Sequence, residues 1–158
     1  HFEDRREEEE LILRFFAFSE GYPKFKLNGV DLENGSVAKF VDNYLAKQNE
    51  IFNEFEIVKK KSDFMAMLTF VESVFKNKGF GKHQNSQSTS RPYFEAIALG
   101  CHFALKSGKS INTSDLSWST LDKKNPNNFF HLLSGRYHTH KPKAIQERID
   151  YVTSKLTS

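Results

Sequence analysis

Apolar residues recur along this chain at spacings of three and four rather than two, the signature of amphipathic helices. Leu11, Ile12, Phe15 and Phe16 make one face of a first helix running from about Glu7 to Phe18. Gly21, Pro23, Asn28, Gly29, Asn34 and Gly35 then punctuate a loop. Ser36 is placed to cap a second helix, whose face reads Phe40, Val41, Tyr44 and Leu45 and runs on to Ile51, Phe52 and Phe55. That run is long for a globular helix, so a break is expected near Lys47–Glu50. Lys59, Lys60 and Lys61 read as an exposed corner before a third helix, which starts near Ser62 or Asp63 and packs Phe64, Met67, Leu68, Val71, Val74 and Phe75. Gly79 is its expected terminator.

The stretch 81–90 is the most polar and reads as a loop. Ser90 and Pro92 open a fourth helix, with Phe94, Ile97, Ala98, Cys101 and Leu105 on its face and Gly108 at its end. Beyond it the pattern weakens: Ser114-Asp115-Leu116 can open a short helix, Asn125-Pro126-Asn127 reads as a turn, and Phe129–Ser134 as a short helix ended by Gly135. A last helix runs from about Pro142 to Leu156, with Ile145, Ile149, Val152 and Leu156 at spacings of four, three and four. No sustained alternation requires a sheet, and no linker divides the chain. The expected fold is all-α, a compact bundle of about five to seven helices in a single helical domain over residues 1–158.

Composition sharpens this picture mainly by exclusion. The 158 residues include 16 phenylalanines, which favour a packed core, and one cysteine, which rules out an internal disulfide framework and a four-cysteine zinc site. No apolar run reaches the roughly 18 residues of a membrane span. The chain opens on His1 rather than methionine, as a fragment or a tagged protein would. Charge is divided unevenly: residues 1–56 hold 7 Lys/Arg against 13 Asp/Glu, and residues 57–158 hold 16 against 7. The plain reading is solvated helix faces; the sharper one is a basic second half that meets DNA, RNA or an acidic protein surface.

Candidate chemistry is sparse. Cys101 shares a stripe with Ile97 and Leu105, and its neighbour His102 points about 100° away around the helix, so the thiol is expected in the core without a base. His131, His138 and His140 cluster in sequence, but no carboxylate or cysteine in that segment completes a zinc site, and no metal is expected. Glu7–Glu10 lie on successive faces of a helix start and fit the positive end of its dipole better than a cation site. Glu10 and Arg14 are four apart and can pair. Lys78-Gly79-Phe80-Gly81-Lys82 falls short of a phosphate loop, and no cofactor motif is present. The strongest binding patch is Arg136, His138, His140, Lys141 and Lys143, with Arg148 on the last helix and Tyr137 interleaved for stacking.

Four segments, taken in order, resemble one bacterial family. Arg5–Phe18, with its Glu-Leu-Ile-Leu-Arg-Phe-Phe-Ala-Phe run, is similar to the opening of the family's helical region. The Phe40-Val41-Asp42-Asn43-Tyr44-Leu45 helix, Tyr93-Phe94-Glu95-Ala96-Ile97 and the closing Ala144–Ile149 segment follow it. The family carries an N-terminal ParB/sulfiredoxin-like domain shared with GmrSD-type restriction enzymes. The resemblance implies a cytoplasmic phage-defence protein whose catalytic motif, a D-G-Q-Q-R-like segment, lies in that N-terminal domain. No such segment occurs here, so no catalytic residue carries over. What the resemblance implies is a non-catalytic C-terminal helical domain that docks on the ParB-like domain of the same protein; the basic second half adds DNA phosphates as a candidate contact. The alternative is a protein-interaction or self-association module without nucleic acid. A third reading, a metallo-nuclease built on His131, His138 and His140, lacks the carboxylates such chemistry needs.

Overall fold

The helix that carries the fold is the fourth, because it is buried nearly all round. The computed structural model describes residues 2–51, 53–76, 79–81, 89–114 and 140–157. Along them run α1 (Phe2–Gly21), β1 (Lys26–Leu27), β2 (Val30–Asp31), a 3-10 turn (Leu32–Asn34), α2 (Val37–Glu50), α3 (Glu54–Phe75), α4 (Arg91–Lys106) and α5 (Pro142–Leu156). Five α-helices among the described residues make the molecule predominantly helical, with one minimal hairpin beside them. The expected helices opening at Ser114 and spanning Phe129–Ser134, and the turn at Asn125–Asn127, fall wholly or mostly outside these residues.

In α4, Tyr93 through His102 and Ala104 are buried, the burial of a core helix rather than a surface one. α5 lies closest to it. A Cβ on Gly100 would sit 2.5 Å from Val152 Cβ and 3.2 Å from the Ile149 carbonyl, so the absent side chain sets the distance between the two helices. Thr153 Oγ1 stitches the crossing by donating to the Gly100 carbonyl at 3.3 Å. Ile145, Ile149, Val152 and Leu156, the stripe read from the sequence, are fully buried against α4. From the other side α1 brings Leu11, Phe15 and Phe18. The Phe15 ring meets Phe64 at 5.0 Å and His102 at 5.2 Å, both edge to face.

Three boundaries differ from expectation, each for a local reason. α1 begins at Phe2 rather than Glu7, so Glu7–Glu10 lie beyond its first turn, where the dipole has faded. The lysines at 59–61 are not a corner but part of α3, which starts at Glu54 because Asn53 caps it, accepting from the Phe55 amide at 3.0 Å. Lysine is a good helix former, and a charged run on a solvated face does not stop a helix. The loop after α1 holds a hairpin, with Lys26 paired to Asp31 and Leu27 to Val30 across Asn28-Gly29, both at positive φ. Asn-Gly is the preferred two-residue turn for this geometry. Ser36 caps as read, accepting from the Lys39 amide at 3.2 Å, and Pro92 and Pro142 lie in the first turns of α4 and α5. Ser90 holds the N-cap position of α4 without a side-chain bond, and α3 ends at Phe75 with Lys76 as its cap, short of the expected Gly79.

Candidate functional site

The described members of the basic set singled out in the sequence are divided between surface and core. Arg136 and His138 lie outside the described residues. His140 is exposed, Lys141 half-buried, and Lys143 extends into solvent 3.9 Å from Glu147. Arg148 has to be removed from the set. It is 1% exposed, and its Nη2 donates to Glu95 Oε2 inside the core. Its position shows why: Ile145, Arg148, Ile149 and Val152 fall on one helical stripe, so Arg148 points where the isoleucines point. The signal was in the sequence, as an arginine at core spacing on α5 and a glutamate inside the apolar run of α4.

Those two residues are the inner end of a ladder of alternating charges. Glu95 Oε1 accepts from Arg14 Nη1 at 2.8 Å. Arg14 turns its Nε and Nη2 to Glu10 Oε1 at 2.9 and 2.7 Å, the pair expected from their spacing. Glu10 Oε2 accepts from Arg91 Nη2 at 3.2 Å, and Arg91 Nε lies 3.6 Å from Glu7. Side-chain exposure rises along the series from 1% at Arg148 to 52% at Glu7. Burial pushes the Arg148 guanidinium below its ordinary range, and the Glu95 carboxylate works against that. Three carboxylates and three guanidiniums balance, and they tie α1, α4 and α5 together. Such a ladder is a device for fixing how helices sit, because breaking one buried partner strands the other's charge.

Between α1, α3 and α4 opens a polar cleft of about 190 Å³, lined among others by His102, Asp63, Glu20 and Lys106. Two of the acids that face it are engaged: Lys106 Nζ donates to Asp63 and Lys60 Nζ to Glu20, each at 2.5 Å. Burial, followed by the charge of Lys106, holds the His102 imidazole below its ordinary pKa. Among the described residues no group of three or more His, Cys, Asp or Glu side chains is placed to hold a metal ion. Cys101 is fully buried, as its stripe predicted, and desolvation pushes its thiol far above the ordinary range.

On the opposite side of α3 the character reverses. Ile12, Leu13 and Phe16 of α1, Leu45 of α2, and Ile57 and Phe64 of α3 line an apolar groove of about 360 Å³. Ile12, Leu45 and Ile57 are each at least 39% exposed there. Under the groove Lys60 Nζ donates to Glu20, Gln48 Oε1 (2.7 Å) and Tyr44 Oη (3.0 Å). One ammonium group thus ties α3 to both α1 and α2. Burial opposes its charge, but the bonds from Glu20 and Tyr44 more than offset this and raise its pKa. No described helix is long and apolar enough to cross a membrane. Neither a protein-family model, a curated protein nor a solved structure matches this chain.

Proposed function

We propose that the chain is a non-catalytic helical docking domain that holds another protein surface in the groove between α1, α2 and α3. The observation that carries this reading is the groove itself: apolar walls from three helices, exposed side chains at its mouth, and lysines at its rim. Contiguous exposed apolar surface of this kind marks a protein contact. Following the family resemblance, the surface it holds belongs to a ParB-like domain of a GmrSD-type defence protein, with this chain as the helical companion that positions it.

Contact with DNA phosphates is a smaller part of the reading. With Arg148 inside the core, the described basic residues near the start of α5 are His140, Lys141 and Lys143. Two lysines contribute a salt slope of only about −1.8, against the ~6–10 phosphate contacts of a strong DNA binder.

The test is calorimetric titration of the chain with a ParB-like domain encoded in the same genome. Binding with a negative heat-capacity change, lost on Leu45→Asp, is the expected result. A folded chain that takes up no such domain, or takes it up equally well as Leu45→Asp, removes the docking reading.

A further inference from the structure

We propose that the outer face of α3 is a two-fold contact with a second copy of this chain, formed by antiparallel pairing of the two α3 helices through Phe55 and Val58. This face adjoins the groove at Lys61, but neither Phe55 nor Val58 lines the groove. Along α3 the residues that meet the body are Lys60, Phe64, Met67, Val71 and Phe75. A helix advances about 100° per residue, so Phe55, Val58, Ser62, Met65 and Thr69 fall on the directly opposite side. All five are exposed. Their spacings of three, four, three and four are those of the seam by which one helix packs along another.

The apolar content of this seam is concentrated at its beginning. Phe55 is 74% exposed, Val58 67% and Ile51 54%, the highest values among the described large apolar residues. Among the described residues nothing covers them. A phenylalanine left three-quarters in water at the solvent side of a helix is a strong anchor for a contact and a poor surface residue otherwise.

Charge selects the occupant and its register. Glu54 and Lys61 are seven residues apart and exposed, so they lie on the same edge of the seam. Two copies laid antiparallel, with the axis level with residues 56 and 57, set Phe55 of each against Val58 of the other. Glu54 of each then meets Lys61 of its partner, twice over by symmetry. Sliding the axis toward Met65 brings Lys59 and Lys61 against their own copies, like against like. A parallel pair would put the positive ends of both helix dipoles side by side. The surface is therefore self-complementary in one arrangement. In this register the two α3 helices face each other over residues 54–59, under two helical turns, below the ~1,200 Å² of a standard interface, so the pair is a weak, micromolar one.

Sedimentation equilibrium of the intact chain from about 5 to about 500 μM tests this, spanning the range of a micromolar constant. The expected mass rises from 18.3 kDa toward twice that value. Glu54→Lys alone and Lys61→Glu alone each weaken the dimer about tenfold by turning both symmetric pairs repulsive, and the two together restore it. Phe55→Asp abolishes it with the helical circular dichroism unchanged, since the ring makes no core contact to lose. Leu45→Asp, on the groove, leaves it intact, which separates failure of this proposal from failure of the docking reading. A chain that stays monomeric throughout, a dimer indifferent to Phe55→Asp, or one whose double charge reversal stays weak overturns the proposal. Rescue of Glu54→Lys by Lys59→Glu instead of Lys61→Glu would mean a parallel pair and overturn it too.

Discussion

Removing Arg148 tests how the core holds its charges. Glu95 lies 3% exposed in the second turn of α4 and is held by two guanidiniums, one from α1 and one from α5. In Arg148→Met the methionine fills much of the arginine's space, so the principal loss is electrostatic. Breaking a buried pair costs about 3–5 kcal/mol. Arg14 remains on the other carboxylate oxygen, which places the cost near the lower bound, about 3 kcal/mol. Glu95→Leu should cost a similar amount, since it leaves Arg14 and Arg148 facing an apolar side chain. The double variant, Glu95→Leu with Arg148→Met, strands only Arg14, which keeps Glu10 and is nearer solvent. Replacing both members of a buried pair by apolar groups is often close to neutral. The two single costs are therefore expected to be strongly non-additive, with a coupling of about 2–3 kcal/mol. Urea unfolding followed by circular dichroism measures all four corners of the cycle; on heating, each single variant should melt roughly 6–12 °C lower, at about 2–4 °C per kcal/mol. Additive costs, or a single variant that loses under about 1 kcal/mol, would refute the view that this ladder pins α1 and α5 to α4.

Other consequences are more local. Gly100→Ala gains helix propensity of at most ~1 kcal/mol but drives a methyl to 2.5 Å from Val152, so chemical denaturation should show net destabilisation of about 1–2 kcal/mol. His102 has a folded pKa below its unfolded value, so the unfolded chain takes up its proton first. The contribution of neutral His102 is fully present above the unfolded pKa of about 6.5 and is lost as pH falls through the lower folded value; His102→Phe should flatten stability against pH in that window. Tyr22, whose hydroxyl donates to Asp150, has its pKa pushed up to about 12 by burial and by that carboxylate. An absorbance titration compared with that of Tyr22→Phe should show one phenol ionising near 12, with the associated stability present below pH 10 and lost as pH rises toward 12. Replacing Lys141 and Lys143 by Gln should lower the salt slope of any DNA binding by no more than about 1.8, and Arg148→Met should leave it unchanged in a folded chain.

Helix faces were legible wherever burial was one-sided and apolar. The α5 stripe and the Ser36 cap follow from residue type and spacing alone, and the structure has them at those positions. Arg148 misled because charge is normally a surface signal, while the spacing that placed it inside was carried by its isoleucine neighbours. Lys59–Lys61 misled in the opposite sense: a charge run looked like an interruption, but only Lys60 turns inward, where it finds three acceptors. The hairpin at Asn28-Gly29 was hidden by strands of two residues each, too short for alternation to register. The groove could not be read at all. It is assembled from Ile12, Leu45 and Ile57, one from each of three helices, and each looks in sequence like the edge of an ordinary core face.

The arrangement of α3 connects these observations. Its C-terminal half is anchored by Met67, Val71 and Phe75, all buried. Its N-terminal half has a different means of attachment, the Lys60 ammonium bound to α1 and α2, with Phe64 edge to face on Phe15 nearby. A polar anchor needs little apolar area, so the flanks and outer side of that half are not consumed in holding it. One flank becomes the charged cleft beside α4, the other the apolar groove, and the outer side the Phe55–Val58 seam. A conventional apolar anchor at position 60 would bury the same helix while leaving the hydroxyl of Tyr44 and the carboxylate of Glu20 without their shared partner. Lys60→Met therefore separates attachment from burial. If the ammonium is what seats this half of α3, amide exchange should rise across residues 54–64 while residues 67–75 stay protected, and both contact surfaces should weaken together. Uniform protection in the variant would mean that packing by Phe64 alone suffices, and that the groove and the seam do not depend on the polar anchor.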